Sequence, residues 1–167
     1  TDLTIDSIGT SVFDWGDLPQ NNSTCLSNPT NGYATTDACA GPRHVVQGVG
    51  ALYLGTQIDP TTAKLGEFDG QPNVPATGDD INPAAQPNDE DGIVVANGLG
   101  CTPPNLWCNG VNGGRIQATV TGSGGYLVGW VDFDGDGFEP TEAVVNTAVS
   151  PGTTAYSFNI PAGSIQP

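Results

Sequence analysis

Short runs of alternating apolar and polar residues recur along this chain, the pattern of half-buried β-strands. Leu3 and Ile5 alternate with polar neighbours in Asp2-Leu-Thr-Ile-Asp-Ser-Ile8. Ala51-Leu-Tyr-Leu54, Gly92-Ile-Val-Val-Ala96 and Ile116-Gln-Ala-Thr-Val-Thr121 read as strands. Gly125-Tyr-Leu-Val-Gly-Trp-Val-Asp132, Glu142-Ala-Val-Val-Asn146 and Ala155-Tyr-Ser-Phe-Asn-Ile160 read the same way. No stretch sustains the i, i+3, i+4 stripe of a helix, and Gly or Pro interrupts most windows long enough to hold one. Short strands joined by Gly, Pro and Asn turns predict an all-β fold, an antiparallel β-sandwich. The strands crowd the C-terminal half. Residues 59–91 show little periodicity, and so long an irregular segment within a compact domain implies that something orders it. No internal repeat is evident.

Charge narrows the function. The chain has 167 residues, 18 acidic against 3 basic, for a formal net charge of -15. Such a chain repels phosphate backbones and anionic lipid, which argues against nucleic-acid binding and membrane association. No apolar run reaches the ~20 residues of a membrane-spanning helix. No basic segment followed by an apolar one opens the chain, so any signal peptide is expected to have been removed already.

The acids are also clustered. Asp59, Glu67, Asp69, Asp79, Asp80, Asp89, Glu90 and Asp91 fall in one window, and Asp132, Asp134, Asp136, Glu139 and Glu142 in another. Carboxylates this dense need a counter-charge, and hard divalent cations bind through carboxylate and carbonyl oxygens. Asp132-Phe-Asp-Gly-Asp-Gly-Phe138 has the opening of an EF-hand-type calcium loop. Acids at positions 1, 3 and 5 converge on the ion, Gly at 6 turns the chain, and position 7 offers its carbonyl. Those positions are Asp132, Asp134, Asp136, Gly137 and Phe138. The bidentate Glu of position 12 is replaced by Ala143, with Glu142 one residue short. The preceding segment is β-patterned, so a calcium loop on a sheet is expected; the alternative is a solvated Asp-Gly turn. Asp79, Asp80, Asp89 and Asp91 are candidates for a second site, and Asp14 and Asp17 for further ligands. One to three calcium ions are expected, ordering long loops.

Four cysteines allow three pairings. The local pairs Cys25–Cys39 and Cys101–Cys108 are expected, because each would staple a loop lacking a core. Zinc-type C-x2-C spacing is absent. Disulfides imply an oxidising, extracellular or cell-surface location. Asn21 and Asn22 open overlapping N-x-S/T sequons, candidate glycan sites. His44 is the single histidine, no G-x-S-x-G occurs, and the acids sit in metal-loop rather than glycosidase spacing. No catalytic residue is therefore expected, and Arg43 and His44 are expected to make structural hydrogen bonds. Trp130, on a patterned strand, is expected in the core; Trp107, inside a short cysteine loop, is the expected exposed platform for a sugar.

A set of motifs occurs in order along the chain. They are Asp14-Trp-Gly-Asp17, Gly41-Pro-Arg-His44, Leu52-Tyr-Leu-Gly55, Asp69-Gly-Gln-Pro72, Ala76-Thr-Gly-Asp-Asp80, Asp89-Glu-Asp-Gly-Ile93 and Gly129-Trp-Val-Asp-Phe-Asp-Gly-Asp-Gly137. Over residues 14–161 the chain resembles the GEVED domain of bacterial and archaeal secreted and surface proteins. The resemblance implies a non-catalytic, calcium-stabilised β-rich building block of large extracellular proteins. Two departures stand out. The family usually continues past the equivalent of Phe158-Asn-Ile-Pro161 into one more strand. It also opens near the Asp-Trp-Gly-Asp motif, whereas residues 1–13 here form an additional strand-like arm. An open sheet edge and a spare strand suggest strand addition between molecules, with Leu3, Ile5 and Ile8 as the assembly residues; the alternative is that the arm folds back on its own domain. Such a head-to-tail contact propagates into a filament. The expected function is thus an extracellular structural module, a subunit of a surface filament or matrix. The alternative is an adhesin-like or lectin-like domain that binds carbohydrate.

Overall fold

The computed structural model describes residues 12–15, 18, 33–41, 43–46, 52–56, 60–61, 64–65, 92–135 and 138–164. Within them the fold is all-β, with antiparallel pairing throughout and only short 3-10 turns as helical structure. The strands are β1 (Val12–Trp15), β2 (Arg43–Val46), β3 (Tyr53–Leu54), β4 (Pro60–Thr61) and β5 (Lys64–Leu65). They continue with β6 (Ile93–Val95), β7 (Gly110–Thr121), β8 (Gly125–Trp130), β9 (Ala143–Val149) and β10 (Gly152–Ile160). No helix among the described residues is long and apolar enough to cross a membrane.

β7 organises the larger sheet. β10 pairs along one side of it, with Tyr156 opposite Ile116 and Gly152 opposite Val120. β6 and β3 pair along the other side, with Ile93 opposite Ala118 and Leu54 opposite Val120. The period of two sends Ile116, Ala118 and Val120 to one face, where Ala118 and Val120 are buried. β8 and β9 form a separate hairpin. Ala118 of β7, Leu127 of β8 and Val145 of β9 form one buried cluster, with Leu54, Ile116, Val149 and Tyr156 packed around it. Burying a side chain such as Leu127 or Phe158 contributes about 1.5–3 kcal/mol, so these few contacts carry much of the fold.

The strands expected from alternation between residues 51 and 160 are present, with shifted ends. Those centred on residues 116–121 and 155–160 are longer than alternation suggested, because Gly113 and Gly114 continue β7 without apolar side chains. β1 and β2 were not anticipated. They pair in register, Asp14 opposite His44. The short hairpin β4–β5 falls at the edge of the segment that showed no periodicity. The arm containing Leu3, Ile5 and Ile8 lies outside the described residues.

Two of the ordered motifs meet in space. Gly92 is buried, and a Cβ there would lie 2.5 Å from the Gly55 nitrogen and the Leu54 Cβ. Glycine is therefore required where the segment ending in Gly92-Ile93 crosses Leu54-Gly55.

The Cys101–Cys108 disulfide forms as expected. It closes a loop that is also tied to β7, with the Cys108 amide donating to the Gly113 carbonyl at 3.0 Å. Cys39 is disulfide-bonded; its expected partner Cys25 lies outside the described residues. Arg43 pairs with Asp37 at 2.7 Å, both exposed, an interaction of little energetic weight.

The tryptophans reverse the expectation. Trp107 is half-buried, its indole N–H donates to the carbonyls of Ala96 at 3.1 Å and Arg115 at 2.9 Å, and its ring meets Phe158 edge-on. It holds the cysteine loop to β7 and is no exposed platform. Trp130 is 42% exposed. It shares its parity on β8 with Tyr126 and Val128, and the inward parity belongs to Leu127 and Gly129.

Candidate metal centre

The β8–β9 connection is a loop over residues 131–142 that returns the chain across its own entrance. The Val131 amide donates to the Glu142 carbonyl at 3.2 Å and closes the loop. Just beyond Val131 lies Asp132. One of its carboxylate oxygens accepts the Gly135 amide at 2.6 Å, a turn in which an Asp side chain caps the backbone. Gly135 has φ 83°, a left-handed conformation that favours glycine. That turn folds the loop back toward Glu142.

Glu142 ends a 3-10 turn, Pro140–Glu142. Its amide donates to the Glu139 carbonyl at 3.0 Å. Its side chain reaches back, one oxygen accepting the Glu139 amide at 3.1 Å and the other the Phe133 amide. The turn and the bulge between Gly129/Trp130 and β9 shorten the path across the loop. A glutamate one residue short of position 12 is thereby brought into the site, which explains how Ala143 can occupy that position.

Asp132, Asp134 and Glu142 each place a carboxylate oxygen within 4.8 Å of the other two. Ligands on opposite sides of one calcium ion, each about 2.3–2.6 Å away, are about 5 Å apart, so the spread suits a single ion. Glu142 is 7% exposed and, among the described residues, no Lys or Arg forms an ion pair with it. Burying a carboxylate is costly unless hydrogen bonds and a counter-charge offset it, and a bound cation would supply the second. Each carboxylate oxygen keeps a second lone pair after accepting one amide, so the hydrogen bonds orient the group without exhausting it.

Tyr33 was not anticipated. Its hydroxyl donates to the second carboxylate oxygen of Asp132 at 3.1 Å, from 99 residues away. Burial chiefly, then the hydrogen bond to Asp132 and the negative charges of Asp132 and Glu142, raise the hydroxyl above its ordinary value. It is therefore a neutral donor at ordinary pH. Its ring stacks on Phe138, centroids 4.6 Å apart at 22°. Phe138, expected to contribute its carbonyl, is thus pinned at the rim of the loop by a distant segment.

Of the other expected ligands, Asp14 lies on β1, opposite His44. Asp136, Asp17, Asp79, Asp80, Asp89 and Asp91 lie outside the described residues, as do the sequon residues Asn21 and Asn22. Comparison with protein-family models, curated proteins and solved structures found no match for this chain, so its function is argued from the chemistry of its own residues.

Proposed function

We propose that this chain is a non-catalytic extracellular structural module, a β-sandwich stabilised by calcium in the β8–β9 loop. The observation that carries this reading is the convergence of Asp132, Asp134 and Glu142, one of them buried. Oxygen ligands alone favour a hard cation, and calcium tolerates the irregular geometry a hairpin loop offers better than magnesium does. The remaining support is indirect. The Cys101–Cys108 disulfide is compatible with an oxidising compartment, and the ordered motifs resemble the GEVED domain. The long strand β10 pairs with β7 alone among the described residues, which suits a subunit that extends its sheet into a neighbour's within a surface filament or matrix. Carbohydrate binding is the weaker reading, because Trp107 is committed to holding its own loop.

Calorimetric titration tests the cation directly. Calcium added to chelator-stripped protein should give a saturable heat, and Asp134→Asn should weaken binding about tenfold or more by removing one ligand charge. Equal titration curves for the two proteins would contradict the assignment.

A further inference from the structure

An apolar groove opens between the larger sheet and the β8–β9 hairpin. Its walls include Ile93 and Val95 from β6, Ile116 from β7, and Leu127 and Gly129 from β8, around a cavity of about 290 Å³. Among the described residues, no charged side chain lines it. These walls are partly exposed: Ile93 is 40% and Val95 49% exposed. Strands β6 and β8 flank the opening, and among the described residues β6 pairs with β7 alone and β8 with β9 alone. Among the described residues each therefore has one edge without a partner strand, beside the apolar slot. Near the C-terminal end of β8, Gly129 contributes no side chain, and a Cβ built there would meet nothing closer than Val145 at 3.8 Å. The strand has a vacant place where an incoming side chain could seat.

We propose that this groove receives residues 2–8 of a second copy of the chain, added as a strand along the free edge of β8. This rests on the reading of the chain as an assembly subunit. The segment has the right length. Eleven residues precede β1 and lie outside the described residues, and residues 2–8 extended span about 23 Å against about 20 Å for β8. It has the right pattern as well. Leu3 and Ile5 share one strand face and fill the groove. Asp2, Thr4 and Asp6 take the other parity and stay in water, so a chain of net charge -15 buries no acid at the contact. Ile8 falls on the outer parity, beside the exposed row of Tyr126, Val128 and Trp130. In keeping with the assembly reading the donor is a second molecule, and the within-chain arrangement is an outcome of the test. The contact is head-to-tail, with a donor arm on one molecule and an acceptor groove on the next, so it propagates.

Disulfide trapping between two differently substituted chains tests this. Full chains carrying Ile5→Cys and Gly129→Cys are mixed in calcium, oxidised and run unreduced, with the linked peptides identified by mass spectrometry. The expected product is an intermolecular bond joining positions 5 and 129, at least tenfold more abundant than the product of Ile5→Cys with Thr153→Cys, an exposed position on β10. Val128→Cys serves as a second acceptor should Gly129→Cys fold poorly, with the same outcome expected. Polymers seen by electron microscopy without either bond would overturn the groove and leave the subunit reading standing. A bond that forms only within one chain, in the Ile5→Cys/Gly129→Cys double variant, would overturn assembly through this arm. Trapping that persists in EDTA would leave this proposal intact and bear only on the cation.

Discussion

Glu142 concentrates the argument at the scale of single residues. It is buried, both its oxygens accept backbone amides, and it faces Asp132 and Asp134. Glu142→Gln keeps the shape but turns one acceptor into a donor facing an amide. A buried unsatisfied donor costs about 1–3 kcal/mol. That variant should therefore be less stable with and without calcium in chemical denaturation. Asp134→Asn, at an exposed position, should lose at least about 1.3 kcal/mol of the calcium-dependent stability with little change in EDTA, since surface changes usually stay within about 0.5 kcal/mol. Matching losses in EDTA for both would mean that the cluster is only a hydrogen-bonded staple. The Asp-x-Asp-x-Asp-Gly spacing made Asp132 and Asp134 legible in sequence, because loop ligands lie close along the chain. Tyr33 was illegible, since nothing local marks a partner 99 residues from Asp132. The tryptophans misled for a different reason. Tyr126 to Val131 is apolar at nearly every position, so the sequence carries no alternation there to say which parity faces inward.

Among the elements, the strands with clean alternation were legible and the others were not. β7 and β10 show it. β1 and β2 are four residues each, too short for a period of two to stand out in the sequence. The disulfide loop was readable because its cysteines are close and its sequence could not build a core. The structure adds that the loop is bound to β7 through Trp107 and the Cys108 amide as well. Replacing both cysteines, Cys101→Ser with Cys108→Ser, should lower stability by about 2–3 kcal/mol on the chain-entropy model for so short a loop. Urea unfolding measures this. A loss below about 0.5 kcal/mol would show that the hydrogen bonds hold the loop without the disulfide.

For the molecule as a whole, the imbalance of 18 acids against 3 bases opposes compaction through self-repulsion. Each calcium ion bound would offset two of those charges, and a cation that binds only the folded chain stabilises it by mass action. At a hundredfold excess over Kd the gain is about 2.7 kcal/mol. In a domain of this size, 1 kcal/mol moves Tm by about 2–4 °C. Thermal melting of the same preparation in calcium and in EDTA therefore tests the central claim most directly. A calcium-ordered β8–β9 loop gives a melt about 5–11 °C higher with the ion than with the chelator. Two melts that coincide within about 1 °C after thorough chelation would show that the fold does not depend on a cation, since less than 0.5 kcal/mol would then be at stake.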